Sequence, residues 1–134
     1  MLRVSLRAVV LVVLAAGVAA LPASAAASKV KVGLKEFKLL PAAAAAKAGK
    51  VTFVVQNVGK LDHSFVVIKT SRAPNALPVN GATADESGKV GRIEPFKPGQ
   101  TRTLTLNLKP GKYVLLCNVP GHYKAGQFAG FQVR

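Results

Sequence analysis

The sequence has one cysteine, Cys117, and this scarcity excludes a disulfide bond within the chain. In an exported protein, a single cysteine forms an intermolecular bridge, stays a free thiol or serves as a ligand. Aromatic residues make up only 6% of the chain and the lysines are scattered over many segments, so a nucleic-acid-binding surface is not indicated. Long runs of proline, serine or charge are missing too, which argues against a disordered protein.

The N-terminal segment has the pattern of a secretory signal peptide. Arg3 and Arg7 give it a positive start, an uninterrupted apolar run covers residues 8–21, and small residues follow at 23–27. The apolar run is shorter than the roughly 20 residues that a membrane-spanning helix needs. We therefore predict a cleaved signal peptide over residues 1–27 rather than a membrane anchor, and a periplasmic, cell-surface or extracellular location.

Removal of this segment would leave a single domain, residues 28–134, which we expect to be a monomer. The full chain carries 19 basic and 5 acidic residues, and without Arg3 and Arg7 the balance is 17 − 5 = +12. This excess serves solubility, or it steers the protein towards an acidic partner protein or an anionic membrane surface.

Apolar and polar residues alternate in much of the remaining chain, which predicts β-strands. Val30, Val32 and Leu34 alternate with lysines, as in a strand with one buried face. The same period, or a run of β-branched residues, predicts further strands at 51–57, 63–68, 101–108, 112–117 and 128–133. Residues 41–48 are alanine-rich and favour a short helical turn, whereas residues 71–91 have the composition of a loop.

Six or seven short strands, frequent turns and the lack of a long amphipathic helix indicate an all-β protein. Each strand with one apolar face must bury that face, and two packed sheets achieve this. The sequence therefore predicts a β-sandwich.

The C-terminal hairpin concentrates side chains that bind metals. Cys117 ends one predicted strand, Gln127 lies where the next begins, and His122 lies between them. Pro120 and Gly121 permit a tight bend that folds His122 back over the strand ends. One short loop can thus present a thiolate, an imidazole and an amide oxygen to a single point.

A second histidine, His63, begins a predicted strand elsewhere in the chain. The ends of strands cluster at one pole of a sandwich, where His63 can meet Cys117 and His122. Two imidazoles, one thiolate and a weak axial oxygen form the set that selects copper for electron transfer. Structural zinc sites are closed and tetrahedral and often use two or more cysteines, so zinc fits this set poorly.

These stretches resemble the cupredoxin family of type 1, or blue, copper proteins, which includes plastocyanin-like members. The C-x4-H spacing from Cys117 to His122, with a histidine-bearing strand upstream, carries the resemblance. The matching pieces are Asn57-Val58-Gly59, His63-Ser64-Phe65, Gly111 to Cys117 and Pro120-Gly121-His122. The resemblance implies a Greek-key β-sandwich with one type 1 copper ion near one end.

The resemblance also implies roles for individual residues. Cys117, His63 and His122 would be the equatorial copper ligands. Asn57 and Asn118 would brace the ligands through hydrogen bonds, which orient them and tune the reduction potential.

The axial position departs from the many cupredoxins that have methionine there, because the only methionine of this chain is Met1. The matching residue is Gln127, as in the stellacyanin-like branch of the family. An amide oxygen is a harder donor than a thioether, so it should favour Cu(II) and lower the reduction potential. The alternative is that Gln127 is an ordinary strand residue and that three ligands hold the copper.

The expected function is that of a mobile one-electron carrier and not of an enzyme. His122, on an exposed loop with the apolar residues Val119 and Pro120, would pass electrons to a redox partner protein with an acidic docking surface. A copper-delivery protein is an alternative, although the chain lacks the flexible Met- or His-rich segments that would support it. A copper oxidase or reductase needs more than two histidines, and the intact Cys and His set disfavours an interaction module without metal.

Overall fold

The structure, a computed structural model, describes residues 17, 19 and 28–134. The predicted signal peptide, residues 1–27, lies outside the described part of the chain except for Gly17 and Ala19, so its cleavage stays a prediction. Within the described part, no helix is long and apolar enough to cross a membrane.

Residues 28–134 form eleven β-strands and contain no helix. In chain order the strands are β1 (Ser28–Lys35), β2 (Lys38–Pro41), β3 (Ala45–Ala46), β4 (Gly49–Asn57), β5 (His63–Lys69), β6 (Val79–Asn80), β7 (Thr83–Ala84), β8 (Lys89–Phe96), β9 (Thr101–Leu108), β10 (Gly111–Leu116) and β11 (Phe128–Val133). The strands predicted from alternation are all present, with ends shifted by two residues at most.

The strands assemble into two main sheets. One has the order β2-β1-β4-β9 and the other the order β3-β11-β10-β5-β8, while β6 and β7 form a small separate ladder. The consecutive strands β4 and β5 lie in different sheets, as do β8 and β9, so the chain crosses repeatedly between the layers. The predicted all-β Greek-key sandwich is confirmed.

The inner faces of the two sheets share one apolar core. The Phe53 ring lies 5.3 Å from the Phe65 ring and 5.5 Å from the Phe131 ring of the opposite sheet. Alternate residues of β1 and β4 point into this core, as the period of two in their sequences predicts.

A second apolar cluster lies on the outer face of β5 and β10. It consists of seven buried residues: Val66, Ile68, Leu77, Ala84, Val114, Leu116 and Tyr123. Leu77 and Ala84 belong to the segment 71–88, which covers this face and carries β6 and β7. β5 and β10 are thus buried on both faces, which explains their almost continuous apolar sequences. Full burial contributes about 1.5–3 kcal/mol for each large aliphatic side chain.

The predicted helical turn at residues 41–48 is wrong. This segment contains no helical turn, and its β3 pairs parallel with the end of β11. Ala48 N donates to the Arg134 carbonyl oxygen, and Gln132 N donates to the Ala44 carbonyl oxygen. So short a segment is a poor helix on its own, and pairing with an open sheet edge satisfies its backbone instead.

The region expected to be a loop, residues 71–91, contains the β6–β7 ladder and the beginning of β8. β8 is an edge strand with two irregularities in its register with β5, and Gly91 and Pro95 lie within it. Such features break the period of two on which strand prediction depends, so β8 is not evident from the sequence.

Candidate metal centre

The register of two strands brings His63 and Cys117 together. β5 and β10 are antiparallel neighbours, with Val66 opposite Leu116. Antiparallel pairing places the start of one strand beside the end of the other. His63 begins β5 and Cys117 directly follows β10, so both residues lie at the same end of the sandwich.

Backbone hydrogen bonds fold the loop from Cys117 to Gln127. Cys117 N donates to the Gln127 carbonyl oxygen at 3.0 Å, and Gln127 N donates to the His122 carbonyl oxygen at 3.1 Å. Gly121 and Gly126 have φ values of 85° and 110°, a conformation that favours glycine. The loop thereby brings His122 beside Cys117.

Three donor atoms form a compact, buried triangle. His63 Nδ1 lies 3.2 Å from His122 Nδ1 and 3.7 Å from Cys117 Sγ, and Cys117 Sγ lies 3.5 Å from His122 Nδ1. Trigonal donors with bonds of about 2.0–2.3 Å to a metal ion lie about 3.5–3.8 Å from one another. The triangle is therefore close to the size that a first-row transition-metal ion requires.

Gln127 lies beside this triangle and is fully buried. Its Nε2 is 3.1 Å from His63 Nδ1, and its Oε1 is the one buried side-chain polar atom without a hydrogen-bond partner among the described residues. A buried acceptor without a partner costs about 1–3 kcal/mol. Because rotation of the amide by 180° exchanges oxygen and nitrogen, a cation in the triangle would give the oxygen a partner. The position fits an axial oxygen donor.

Burial favours the neutral forms of the Cys117 thiol and the His122 imidazole. Desolvation raises the pKa of Cys117, although N–H groups of Val119 and Ser64 partly oppose this shift. Desolvation, and then the neighbouring His63, lowers the pKa of His122. A neutral imidazole has a free electron pair that can bind a cation. A buried thiolate is stable only when a nearby cation compensates its charge. The donor set therefore fits a metal cation.

Ser64, in the neighbouring strand β5, contacts the sulfur of Cys117. Its backbone N–H donates to Cys117 Sγ at 3.3 Å, and its Oγ lies 3.8 Å from the same atom. Ser64 Oγ also accepts a hydrogen bond from Asn118 N at 2.9 Å. The sequence gives no separate signal for this role beyond the position of Ser64 next to His63.

Asn57 lies before the turn that leads to His63. Its Oδ1 accepts a hydrogen bond from Gly59 N at 3.0 Å, and its Nδ2 donates to the carbonyl oxygens of Leu61 and Phe96 at 2.8 and 2.9 Å. The fully buried amide thus fixes the turn at residues 58–62 and its contact with β8.

Asn118 connects the loop from Cys117 to Gln127, the ligand loop, to the segment 71–88. Its Oδ1 accepts from Ala84 N at 2.8 Å, and its Nδ2 donates to the Ala84 carbonyl oxygen at 3.0 Å. The side-chain amide therefore satisfies both backbone groups of one residue. Nearby, Tyr123 Oη donates to the Pro74 carbonyl oxygen and accepts from Leu77 N, which makes a second link to the same segment.

The turn between β1 and β2, residues 36–37, and the first residue of β2 also reach the centre, and sequence reasoning missed them. Glu36 Oε1 lies 3.0 Å from His63 Nε2. The Phe37 ring meets the His122 ring edge-on at 5.0 Å, and the Lys38 carbonyl oxygen lies 3.4 Å from Gln127 Nε2. Glu36 also accepts hydrogen bonds from backbone N–H groups, led by that of Leu61, which help lower its pKa to about 2.

Residues 7–128 match the family model described as a cupredoxin-like domain. The chain belongs to the cupredoxin family. This result confirms the resemblance, and the triangle of His63, Cys117 and His122 is compatible with one type 1 copper ion.

A curated relative is the copper-resistant cuproprotein CopI of Vibrio cholerae serotype O1. It is 30% identical over 87 residues, which cover 62% of this chain and 50% of that protein. The chain therefore spans about half the length of this relative.

Solved structures of other cupredoxins have the same fold. Auracyanin A, a "blue" copper protein of Chloroflexus aurantiacus, superposes with a TM-score of 0.60 at 22% identity, covering 81% of this chain and 100% of that one. Reduced auracyanin of Roseiflexus castenholzii gives 0.57 at 23% identity over 81% and 96% of the two chains. An azurin of Methylomonas sp. strain J gives 0.60 at 13% identity over 80% and 98%. At these identities the likeness concerns the fold.

Proposed function

We propose that this protein is an exported one-electron carrier that binds one type 1 copper ion through His63, Cys117 and His122, with Gln127 as a weak axial donor. The observation that carries the proposal is the buried triangle of donor atoms, with sides of 3.2, 3.5 and 3.7 Å. When bound, copper supplies a centre that alternates between Cu(I) and Cu(II) and so stores one electron.

The donor types suit both oxidation states. The thiolate of Cys117 favours Cu(I), imidazoles accept either state, and the amide oxygen of Gln127 favours Cu(II). Hydrogen bonds from Ser64, Asn57 and Asn118 hold the ligand segments in place. A donor set held in this way moves little between the two states, which supports rapid electron transfer.

Electron transfer is favoured over substrate turnover. His63, Cys117 and Gln127 are fully buried and His122 is 7% exposed, so a substrate has little access to the donor atoms. The two histidines of the chain both belong to this centre, which leaves none for a second copper site.

The partner of such a carrier is expected to present an acidic docking surface. Four exposed lysines lie in the segments around the centre, at the end of β1, the start of β2, the turn before β5 and the loop before β11: Lys35, Lys38, Lys60 and Lys124. Among residues 28–134, only Lys89 and Arg92 of the lysines and arginines form ion pairs with carboxylates. The end of the sandwich that carries His63 and Cys117, the metal end, thus has an excess of positive charge, which steers an acidic protein towards it.

A copper-handling role in copper resistance is the second candidate. The similarity to the Vibrio cholerae copper-resistant cuproprotein favours it. The two candidates differ in what happens to the metal, because a carrier retains copper in both oxidation states and a delivery protein releases it.

A redox titration of the copper-loaded protein, combined with measurement of copper content, tests the proposal. We expect one reversible one-electron transition and one copper ion per chain after reduction and dialysis against a chelator. Loss of the copper on reduction would contradict the carrier function and support copper handling.

Export is tested by intact-mass analysis of the protein recovered from its native cells. We expect a chain in the periplasmic or extracellular fraction that begins at Ser28. A chain that retains residues 1–27 would contradict cleavage.

A further inference from the structure

Three consecutive residues, the two of the β1–β2 turn and the first of β2, contact three of the four proposed copper donors. Glu36 contacts His63, Phe37 contacts His122, and the Lys38 carbonyl oxygen lies 3.4 Å from the Gln127 amide. Glu36 and Phe37 form the turn between β1 and β2, and Lys38 begins β2, so all three residues are separate in sequence from every ligand segment.

The parallel pairing of β1 with β4 positions this turn. Leu34 is the partner of Asn57 in the ladder, and Val58 N donates to the Leu34 carbonyl oxygen at 2.9 Å. The turns that follow the two strands are therefore neighbours. Glu36 Oε1 accepts hydrogen bonds from Lys60 N at 2.9 Å and Leu61 N at 2.8 Å. These contacts hold the carboxylate in the position from which it contacts the His63 imidazole.

The contact with Glu36 determines which nitrogen of His63 carries the proton. A carboxylate only accepts hydrogen bonds, so the 3.0 Å contact requires a proton on His63 Nε2. In the neutral ring, Nδ1 then has a free electron pair. Nδ1 is the atom that lies 3.2 Å from His122 Nδ1 and 3.7 Å from Cys117 Sγ. The tautomer held by Glu36 is therefore the one that can bind a metal ion in the triangle.

The negative charge of Glu36 acts on the same ring. A carboxylate that accepts the N–H of a metal-bound imidazole makes the other nitrogen a more basic donor. A more basic donor stabilises Cu(II) more than Cu(I). Glu36 is partly exposed, with 26% of its side chain accessible, whereas His63 is fully buried.

We propose that Glu36 is a positioning residue that fixes His63 as the Nε2–H tautomer and strengthens His63 Nδ1 as a donor to Cu(II). This inference rests on the proposed copper site. It adds an anionic partner to the ligand set, and it acts on the reduction potential in the same direction as an axial amide.

The test compares the reduction potentials of the Glu36→Gln variant and the wild-type protein. Glutamine keeps an oxygen acceptor for Lys60 N and Leu61 N but lacks the charge. We expect a roughly tenfold fall in the affinity for Cu(II) relative to Cu(I), which equals a rise of about 59 mV for a one-electron couple.

The matched control is Asp62→Asn. Asp62 is exposed, precedes His63 directly in sequence and undergoes the same loss of one negative charge. Its charge acts through solvent, so we expect a much smaller shift in potential. An unchanged potential in Glu36→Gln, or equal shifts in both variants, would overturn the proposal.

A second measurement does not depend on copper. Nitrogen-15 NMR of the metal-free protein distinguishes the two tautomers of His63, and we expect the Nε2–H form in the wild type. A predominant Nδ1–H form would overturn the role of Glu36 even if the copper site is intact. A wild-type protein without a thiolate-to-copper band would contradict the proposed function. In that case the NMR measurement of the His63 tautomer would still test the contact between Glu36 and His63.

Discussion

At the scale of single residues, the centre depends on buried polar atoms whose partners come from distant parts of the chain. Ser64 Oγ is an example, because it accepts the Asn118 N–H and also lies near the sulfur of Cys117. Removal of such a group leaves a buried N–H without a partner, which is more costly than the loss of an exposed hydrogen bond.

The Ser64→Ala substitution should therefore lower the free energy of unfolding of the metal-free protein by about 1–2 kcal/mol. Denaturant titration measures this change. Ser71→Ala is the control, because Ser71 is exposed, and its effect should stay within about 0.5 kcal/mol. Equal effects of the two substitutions would contradict the bracing role of Ser64.

The Gln127→Met substitution tests the axial donor. A thioether is softer than an amide oxygen, so the affinity for Cu(II) relative to Cu(I) should fall at least about tenfold and the potential should rise by about 59 mV or more. Gln56→Met, at an exposed position of β4, is the control and should leave the potential unchanged. If Gln127→Met also leaves it unchanged, Gln127 is not an axial donor and three ligands hold the copper.

The sequence is informative about some of these residues and silent about others. Cys117, His122 and Gln127 lie on one short loop and His63 begins a strand, so a sandwich that pairs these strands antiparallel brings the four residues to one end. The contact of Glu36 with His63 depends on the parallel register of β1 and β4, which residue patterns do not encode. Such a contact forms only when the assembled sheet places the turn after β1 beside the turn after β4.

At the scale of elements, the segment 71–88 supports the ligand loop. It covers the outer face of β5 and β10, and Asn118 and Tyr123 connect it to the loop through four hydrogen bonds. Its composition predicts only a loop. The almost continuous apolar sequences of β5 and β10 are the signal that a further segment covers their sheet, but they do not identify that segment.

The Tyr123→Phe substitution should loosen this segment. It removes the acceptor for Leu77 N and the donor to the Pro74 carbonyl oxygen, and we expect a loss of about 1–2 kcal/mol of stability. Hydrogen exchange at the Leu77 amide should become faster.

Tyr113→Phe is the control for this variant. The Tyr113 hydroxyl donates to the Lys109 carbonyl oxygen at 2.7 Å, near the start of β10 and away from the metal end. After correction for any change in global stability, the Tyr113→Phe variant should show the same hydrogen-exchange rate at the Leu77 amide as the wild type. Equal acceleration at Leu77 in both variants would show that the Tyr123 hydroxyl does not anchor the segment.

At the scale of the whole molecule, charge distribution is the feature that concerns partners. Four of the five acidic residues accept hydrogen bonds within the described structure: Glu36, Asp85, Glu86 and Glu94. The fifth, Asp62, is exposed. Residues 28–134 carry 17 lysines and arginines against these 5 acids, so positive charge dominates the surface and favours association with acidic proteins at low ionic strength.

Charge reversal at the metal end should slow electron transfer with an acidic redox protein. We expect Lys60→Glu to reduce the second-order rate constant several-fold at low salt, with the difference shrinking as ionic strength rises. Lys109→Glu, which follows β9 at the opposite end, is the control and should have a smaller effect. Stopped-flow kinetics measures both, and equal effects would contradict docking at the metal end.

The central claim is that His63, Cys117 and His122 form a type 1 copper site, and a visible absorption spectrum after addition of Cu(II) tests it most directly. We predict an intense blue or green thiolate-to-copper band in the protein that begins at Ser28, and its absence in the Cys117→Ser variant. A colourless wild-type protein, or a band that persists in Cys117→Ser, would contradict the claim.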